Sequence, residues 1–224
     1  MNLANTDRIH IRQAERSDID FIIEAILEAD RSDTDRISYC TIFNLSRVEF
    51  RKILREILIE DIQGSELCLS DFLVATVEGE TAGACCSWIE AIDGNPSYLI
   101  KYSLLSQYLS EDNIEYSKGV GSFIKGLHID REKQTLQIES VYVNPNFRGL
   151  GISGRIINEH FRQKKLQYPD LEKAQLIVTD ENSSAISAYK KIGFNIIQKF
   201  KIDNEMVLKI LPSNSLVLME KNLK

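Results

Sequence analysis

Residues 136 to 157 constrain this chain more than any other stretch: Leu-Gln-Ile-Glu-Ser-Val-Tyr-Val-Asn-Pro-Asn-Phe-Arg-Gly-Leu-Gly-Ile-Ser-Gly-Arg-Ile-Ile. Leu136, Ile138, Val141 and Val143 are β-formers stopped by Asn144-Pro145-Asn146, and their alternation slips by one residue near Ser140, the mark of a bulged strand. Gly149, Gly151 and Gly154 then remove Cβ atoms where the chain must turn tightly, and Ile152, Ile156, Ile157 and Phe161 recur at helical spacing. A strand that runs through a Gly-rich turn into a helix makes an anion site, because the first N–H groups of the helix lack an intrahelical partner and the helix dipole favours negative charge. The stretch therefore predicts a diphosphate held on backbone donors, with Arg148 beside it.

Gly149, Gly151 and Gly154 also spell the Gly-x-Gly-x-x-Gly of dinucleotide-binding folds, but that fingerprint follows its strand directly and opens a long βαβ series. Here five residues separate Val143 from Gly149 and only about 70 follow Gly154, too few for such a series. Arg148-Gly149-Leu150-Gly151-Ile152-Ser153 instead resembles the acetyl-CoA pyrophosphate loop of the GCN5-related N-acetyltransferases (GNAT): Arg or Gln, two residues, Gly, one residue, then Gly or Ala. Ser153 stands at the last position and is small enough to let a phosphate approach. A second motif follows in that family's order and spacing. Asn182-Ser183-Ser184-Ala185-Ile186-Ser187-Ala188-Tyr189-Lys190-Lys191-Ile192-Gly193-Phe194 resembles its Asn-x-x-Ala-x-x-x-Tyr-x-Lys-x-Gly-Phe segment. Read from the residues alone, Asn182 can cap a helix, Ala185, Tyr189 and Ile192 share one face of it, and Gly193 ends it.

The resemblance is close over about residues 136 to 200, and it implies a fold and a chemistry. The fold is α/β with α and β elements mixed: a central, mixed but mostly antiparallel twisted sheet of about seven strands with helices on both faces. The chemistry is transfer of an acetyl group from acetyl-CoA, as co-substrate, directly to a primary amine of a small molecule or peptide, without a covalent enzyme intermediate. The cofactor-binding residues it implies are Val141, Tyr142 and Val143 on the central strand, Arg148, Gly149, Leu150, Gly151, Ile152, Ser153 and Gly154 in the loop and helix start, and Asn182 and Ala185 in the second motif. In the family the central strand splays from its neighbour and pantetheine enters the gap like a further strand, bonded to N–H groups such as those of Val141 and Val143. Tyr189 takes the place of the general acid for the departing sulfur, and Glu139 that of the base; the alternatives are a core tyrosine for the first and, for the second, an exposed strand carboxylate or one binding the substrate cation. A non-catalytic acyl-CoA-binding or regulatory module, or a transferase using another acyl-CoA, would carry the same motifs.

A chain of 224 residues with 43% hydrophobic content can bury a real core, and one domain spanning 1–224 with an insertion at about 89–133 is expected. A net charge of −6 argues against nucleic acid as a partner, since a nucleic-acid binder needs a basic face. No stretch approaches the apolar length of a membrane span and no leader pattern opens the chain, so a cytoplasmic protein with no membrane partner is expected. Cys40, Cys68, Cys85 and Cys86 lack metal-ligand spacing and read as buried thiols, and no metal is expected. His10, His128 and His160 are scattered and read as structural or exposed.

Along the chain, Arg8 to Gln13 reads as a first strand. Ser17-Asp18-Ile19-Asp20 reads as the cap of a helix to about Asp30, followed by an irregular link from Ser32 to Leu45. Ser46-Arg47-Val48-Glu49 is a capping box for a second helix bearing Phe50, Ile53, Leu54, Ile57 and Leu58 on one face. Asp71 to Val77 and Thr81 to Trp88 form a hairpin about Glu78-Gly79-Glu80. In the insertion, Tyr98, Tyr102, Leu105 and Leu109 predict one amphipathic helix, Gly119, Gly121 and Gly126 a loose return, and Phe123 to Ile129 an extra strand. That helix face must meet the domain, a substrate or a second subunit, which leaves open a lid, a fixed wall or a homodimer contact. Arg155, Arg162, Lys164 and Lys165 on the helix after the loop either meet a CoA phosphate or solvate its outer face. Ala174 to Thr179, Phe194 to Ile202 and Leu216 to Lys221 are the closing strands.

Overall fold

The computed structural model describes residues 8–224. Alternation of side chains in the second and third strands decides the layering. In β2 (Phe72–Val77), Phe72 and Val74 point to one face and Leu73 and Ala75 to the other, and all four are buried. β3 (Glu80–Ile89) does the same, with Ala84, Cys86 and Trp88 against Ala82, Cys85 and Ile89. A strand apolar on both faces must be covered on both. Helices α1 (Ile19–Arg31), α2 (Ser38–Phe43) and α3 (Arg47–Glu60) cover the first face. Helices α6 (Ile152–Gln167) and α7 (Ser183–Lys191) cover the second.

The remaining strands are β1 (Ile9–Gln13), β4 (Leu136–Val143), β5 (Lys173–Thr179), β6 (Asn195–Lys201) and β7 (Ser215–Asn222). They complete one seven-stranded sheet in the order β1-β2-β3-β4-β5-β7-β6. All neighbours are antiparallel except β4 and β5. That parallel pair is joined for two residues only, Leu136 to Ala174 and Gln137 to Gln175, before the strands part. β5 bonds instead along its whole length to β7, from Lys173–Asn222 to Thr179–Leu216. On the other side of β4 the register against β3 slips: Cys86 faces Glu139 and Ala84 faces Tyr142, so β4 has an extra residue there. Ser140 absorbs it at φ 52°, confirming the bulge expected from the sequence.

Three expectations need correction. The link from Ser32 to Leu45 is not irregular throughout, since α2 occupies its centre; its six residues are too short for a periodic signal to stand out. The insertion holds two helices, α4 (Ser97–Ser106) and α5 (Glu111–Ile124), then a 3₁₀ turn at Lys125–Leu127, and the strand expected at Phe123 to Ile129 is absent. Gly119 and Gly121 lie inside α5, whose start is fixed by a capping box between Ser110 and Asn113. Leu104, Leu105 and Leu109 are buried in the core beneath α1 and α3 while Tyr98 and Tyr102 are each 46% exposed, so the predicted single apolar stripe is divided. Finally, Asp18 does not cap α1 with its side chain. Its carboxylate is held by both Arg12 nitrogens at 2.6 and 2.8 Å and by the Glu15 N–H at 2.9 Å. The Ser46–Glu49 capping box of α3 is as expected.

Candidate active site

The parting of β4 and β5 opens a cavity of about 440 Å³ in the middle of the sheet. Glu139, Val141, Tyr142 and Val143 line one wall and Leu176, Val178 and Thr179 the other. The Asn144 N–H donates to Ala82 O on β3 at 2.9 Å. Backbone groups of a strand alternate in direction, so the N–H groups of Val143 and Val141 point away from β3 and into the gap.

At one end of the gap the chain turns through Arg148 to Gly151 into α6. Gly149 and Gly151 have φ of 85° and 74°, the left-handed region that other residues avoid, and a Cβ built on either would meet nothing within 4 Å. The glycines are therefore required by backbone conformation, and the space beyond them is open for a ligand. No side chain caps α6, which leaves its first N–H groups as donors. Arg148 and Ser153 line the same cavity. Gly149, Leu150 and Gly151 shape the turn; Ile152 is buried in the core, and Gly154 lets α6 approach Ile192, whose Cγ2 would lie 3.1 Å from an added Cβ. A diphosphate fits this cradle by the chemistry of its donors. Among the described residues, no group of three or more His, Cys, Asp or Glu is placed to hold a metal ion.

α7 forms the far wall. The Asn182 carboxamide accepts the Ala185 N–H at 3.0 Å and donates to Ser32 Oγ at 3.4 Å, so it caps the helix and ties it to the end of α1. Ala185 contributes smallness rather than a donor. One turn on, Tyr189 lines the cavity, its ring packed edge-on to Phe194 at 6.2 Å. Burial, with repulsion from Cys85 and Glu139, raises the phenol's pKa, so it stays protonated and able to donate.

A second cavity, of about 700 Å³, adjoins the first at Glu139 and Ser140 of β4. It shares Ala29, Asp30, Ser38, Glu139 and Ser140 with the first. Its walls come from α1, α2 and the insertion, with Ile42, Phe43, Leu99, Leu105, Tyr98 and Tyr102 as the apolar surface. Two ion pairs stiffen it. Arg131 donates to Glu139, to Gln137 Oε1 at 2.6 Å, and lies over the Trp88 ring at 5.0 Å. Lys101 pairs with Glu66, which also accepts the Tyr39 hydroxyl at 3.0 Å. Burial works against the Glu66 charge, but Lys101 and Arg131 outweigh it and pull that carboxyl down to about 2.

Sequence reasoning brought Glu139, Tyr189 and the Gly-rich turn to one place, but missed Asp30, Glu66, Lys101 and Arg131. None of these lies in a motif; only the fold of the insertion over α1 and α2 brings them together. Of the cations on α6, Lys164 is remote from the cavity, bonded to Asp71 at 3.1 Å, and Arg162 pairs with Glu159 at 2.7 Å. His160, also on α6, is buried: Ser87 Oγ lies 2.7 Å from Nδ1 and the Cys85 carbonyl 2.9 Å from Nε2. Burial lowers its pKa to about 4, so it is neutral and structural. Cys68, Cys85 and Cys86 are buried as expected, and Cys40 is partly exposed.

The chain is 28% identical over 103 residues to the L-2,4-diaminobutyric acid acetyltransferase of Vibrio parahaemolyticus, a match covering 45% of this chain and 55% of that protein. The aligned stretch thus spans about half the length of that curated relative. Among solved structures, an N-acetyltransferase from Staphylococcus aureus Mu50 superposes with a TM-score of 0.62 at 18% identity, over 94% of this chain and 99% of that one. A putative acetyltransferase from Salmonella typhimurium, solved with its cofactor acetyl-CoA, superposes with a TM-score of 0.53 at 15% identity, over 97% and 95%. The profile of the Acetyltransferase (GNAT) family matches residues 39–194, a span that takes in the parted strands, the Gly-rich turn and Tyr189, and the chain belongs to that family.

Proposed function

We propose that this chain is an acetyl-CoA-dependent N-acetyltransferase of the cytoplasm that moves an acetyl group directly onto a primary amine of a small molecule or peptide. The observation that carries the reading is the gap between β4 and β5, with a diphosphate cradle at one end and a partly buried, protonated tyrosine inside. When bound, acetyl-CoA supplies the activated acyl group and a thiol leaving group.

The chain's own residues provide the rest. The α6 N–H groups and Arg148 hold the diphosphate, and the N–H groups of Val141 and Val143 hold the arm and orient the carbonyl, where a backbone donor gains strength as negative charge develops. Tyr189 gives its proton to the leaving sulfur. Glu139 faces the acceptor; accepting a proton would forfeit its ion pair with Arg131, which favours its reading as the carboxylate that attracts the substrate cation. No thiol competes as a nucleophile, since burial raises the pKa of Cys40 to about 11 and those of Cys68, Cys85 and Cys86 well above their ordinary values.

The 700 Å³ cavity takes the acceptor. Its charged groups suit an amine, and its aliphatic and tyrosine walls suit an apolar stem behind that amine. The diaminobutyrate for which the Vibrio relative is named is an amine on a short stem that ends in a second ammonium and a carboxylate. The test is thiol release from acetyl-CoA with 2,4-diaminobutyrate, spermidine, phenethylamine and a peptide with a free N-terminus, alongside calorimetry of CoA binding. Turnover with one or more is expected. Tight CoA binding with no turnover on any amine would favour a non-catalytic module.

A further inference from the structure

An acceptor nitrogen that reaches the acyl carbon must pass from the larger cavity into the smaller one, and two carboxylates line the passage, those of Asp30 and Glu139. They differ in what they already hold. Glu139 is engaged by the Arg131 guanidinium. Among the described residues, the hydrogen-bond donors to Asp30, in the last turn of α1, are neutral: the N–H and hydroxyl of Ser38 and the Tyr39 N–H at 3.4 Å. We propose that Asp30 is the group that receives the acceptor amine and takes its proton.

The proposal rests on the acetyl-transfer reading and adds the base that reading lacks. Asp30 is partly accessible, through the cavities, while the rest of it is enclosed. Burial is the largest influence on its carboxyl and lifts the pKa to about 6, against the Ser38 and Tyr39 hydrogen bonds and the charge of Lys101. Other charges largely cancel. On the acceptor side Glu66 pairs with Lys101, Glu139 with Arg131 and His128 with Asp130 at 3.1 Å, leaving the phenols of Tyr39, Tyr98 and Tyr102. On the cofactor side Glu28 pairs with Arg31 on the same helix, and Asp33, Arg148 and Tyr189 complete the set. From α2, the Cys40 thiol is kept protonated partly by Asp30 itself. A base whose pKa lies close to the working pH is ionised often enough to act and basic enough to accept.

The steps balance. The ammonium gives one proton to Asp30, the freed lone pair forms the C–N bond, and the C–S bond breaks with its electron pair leaving on sulfur. Sulfur takes a proton from Tyr189. The nitrogen's second proton replaces that one on Tyr189, and Asp30 returns the first to solvent.

Asp30→Asn keeps an oxygen to accept from Ser38 and Tyr39 while removing the base. In the full chain with saturating acetyl-CoA, using the best acceptor of the panel named above, kcat should fall by about 10²- to 10⁴-fold with CoA affinity unchanged. The acid limb of the kcat/KM profile near pH 6 should vanish, and Asp30→Glu should restore a limb. Independently of turnover, difference infrared titration of the ligand-free protein should show a protonated-carboxyl band that disappears as pH rises through about 6 and is missing in Asp30→Asn. A wild-type kcat and unmoved acid limb in Asp30→Asn, a loss confined to acceptor KM, or no such band in the wild type overturns the proposal. Failure of the wild-type chain to bind CoA would instead overturn the acetyl-transfer reading beneath it.

Discussion

Gly151→Asp separates the two jobs of the α6 N-terminus, since the fold should tolerate it and the ligand should not. Nothing lies within 4 Å of the Cβ it would add, so there is no clash. The backbone is left-handed at φ 74°, which costs an aspartate about 1 kcal/mol, and a carboxylate at a helix N-terminus returns about 0.3–1 kcal/mol. Net stability should barely move. For a diphosphate, the same carboxylate brings like charge into the cradle. At about 4 Å and an effective dielectric of about 20, two unit charges repel by about 4 kcal/mol. Residue 151 is exposed, so solvent and salt screen part of that, leaving about 2–4 kcal/mol, or roughly thirty- to a thousandfold in Kd. Gly151→Asn has the same shape and backbone strain without the charge. Calorimetry of CoA binding to both variants, at low and high salt, with melting curves as the control, isolates the charge. If the aspartate variant binds CoA within about threefold of the asparagine variant, the diphosphate does not sit on α6.

Tyr189→Phe deletes one hydroxyl and little packing, so CoA affinity should hold while kcat falls by about 10²- to 10⁴-fold; an unchanged kcat with chemistry shown to limit the rate would return Tyr189 to a packing role. Glu139→Gln removes the carboxylate but not the side chain's shape, and should raise the acceptor KM while leaving the acid limb of the pH profile in place; a vanished limb would make Glu139 the base. His160 is neutral in the fold with a pKa of about 4 and ordinarily titrates near 6.5 when unfolded. Only the unfolded state binds that proton between those values, so stability intact above about pH 6.5 should be lost as pH falls toward 4, by up to about 3 kcal/mol. His160→Gln should flatten that part of the stability–pH curve in urea titrations, and an unchanged slope would place the acid sensitivity elsewhere.

The sequence exposed those parts of the site that depend on backbone geometry. Gly149 and Gly151 announce themselves because only glycine sits easily at their φ, and the β4 bulge announces itself because one extra residue shifts the alternation of Ile138 against Val141. Asn182 and Ser46 were readable because a cap is a local contract between a side chain and an N–H three residues on. The edge strand β1 was readable from the alternation of Ile9 and Ile11 with polar residues. Each of these signals is contained within a few residues, so no knowledge of the tertiary fold was needed.

The acceptor side follows the opposite rule. Asp30 looks in sequence like one more acidic residue at the end of an amphipathic helix, and Lys101 and Arg131 like solvated cations in an insertion. Their environment is created by contacts between elements far apart in the chain. Glu90 holds both ends of the insertion: its carboxylate accepts from Trp88 Nε1 at 3.0 Å and from the Ser97 N–H at 2.9 Å, and its backbone exchanges hydrogen bonds with Gln134 and Thr135. With those ends fixed, Leu104, Leu105 and Leu109 are buried against the α1–α3 layer, each worth about 1.5–3 kcal/mol on burial. α5 closes on α2 through the Asn113 carboxamide, which donates to the Phe43 carbonyl at 2.8 Å. So anchored, the two helices pack on the α1–α3 layer and on α2. The glycines suggested motion because loop and helix glycines look alike in sequence, whereas a capping box and a buried leucine triplet hold these in a helix. We therefore propose that these helices limit which amines reach Asp30 and Glu139, which would place acceptor selectivity in residues that no motif contains.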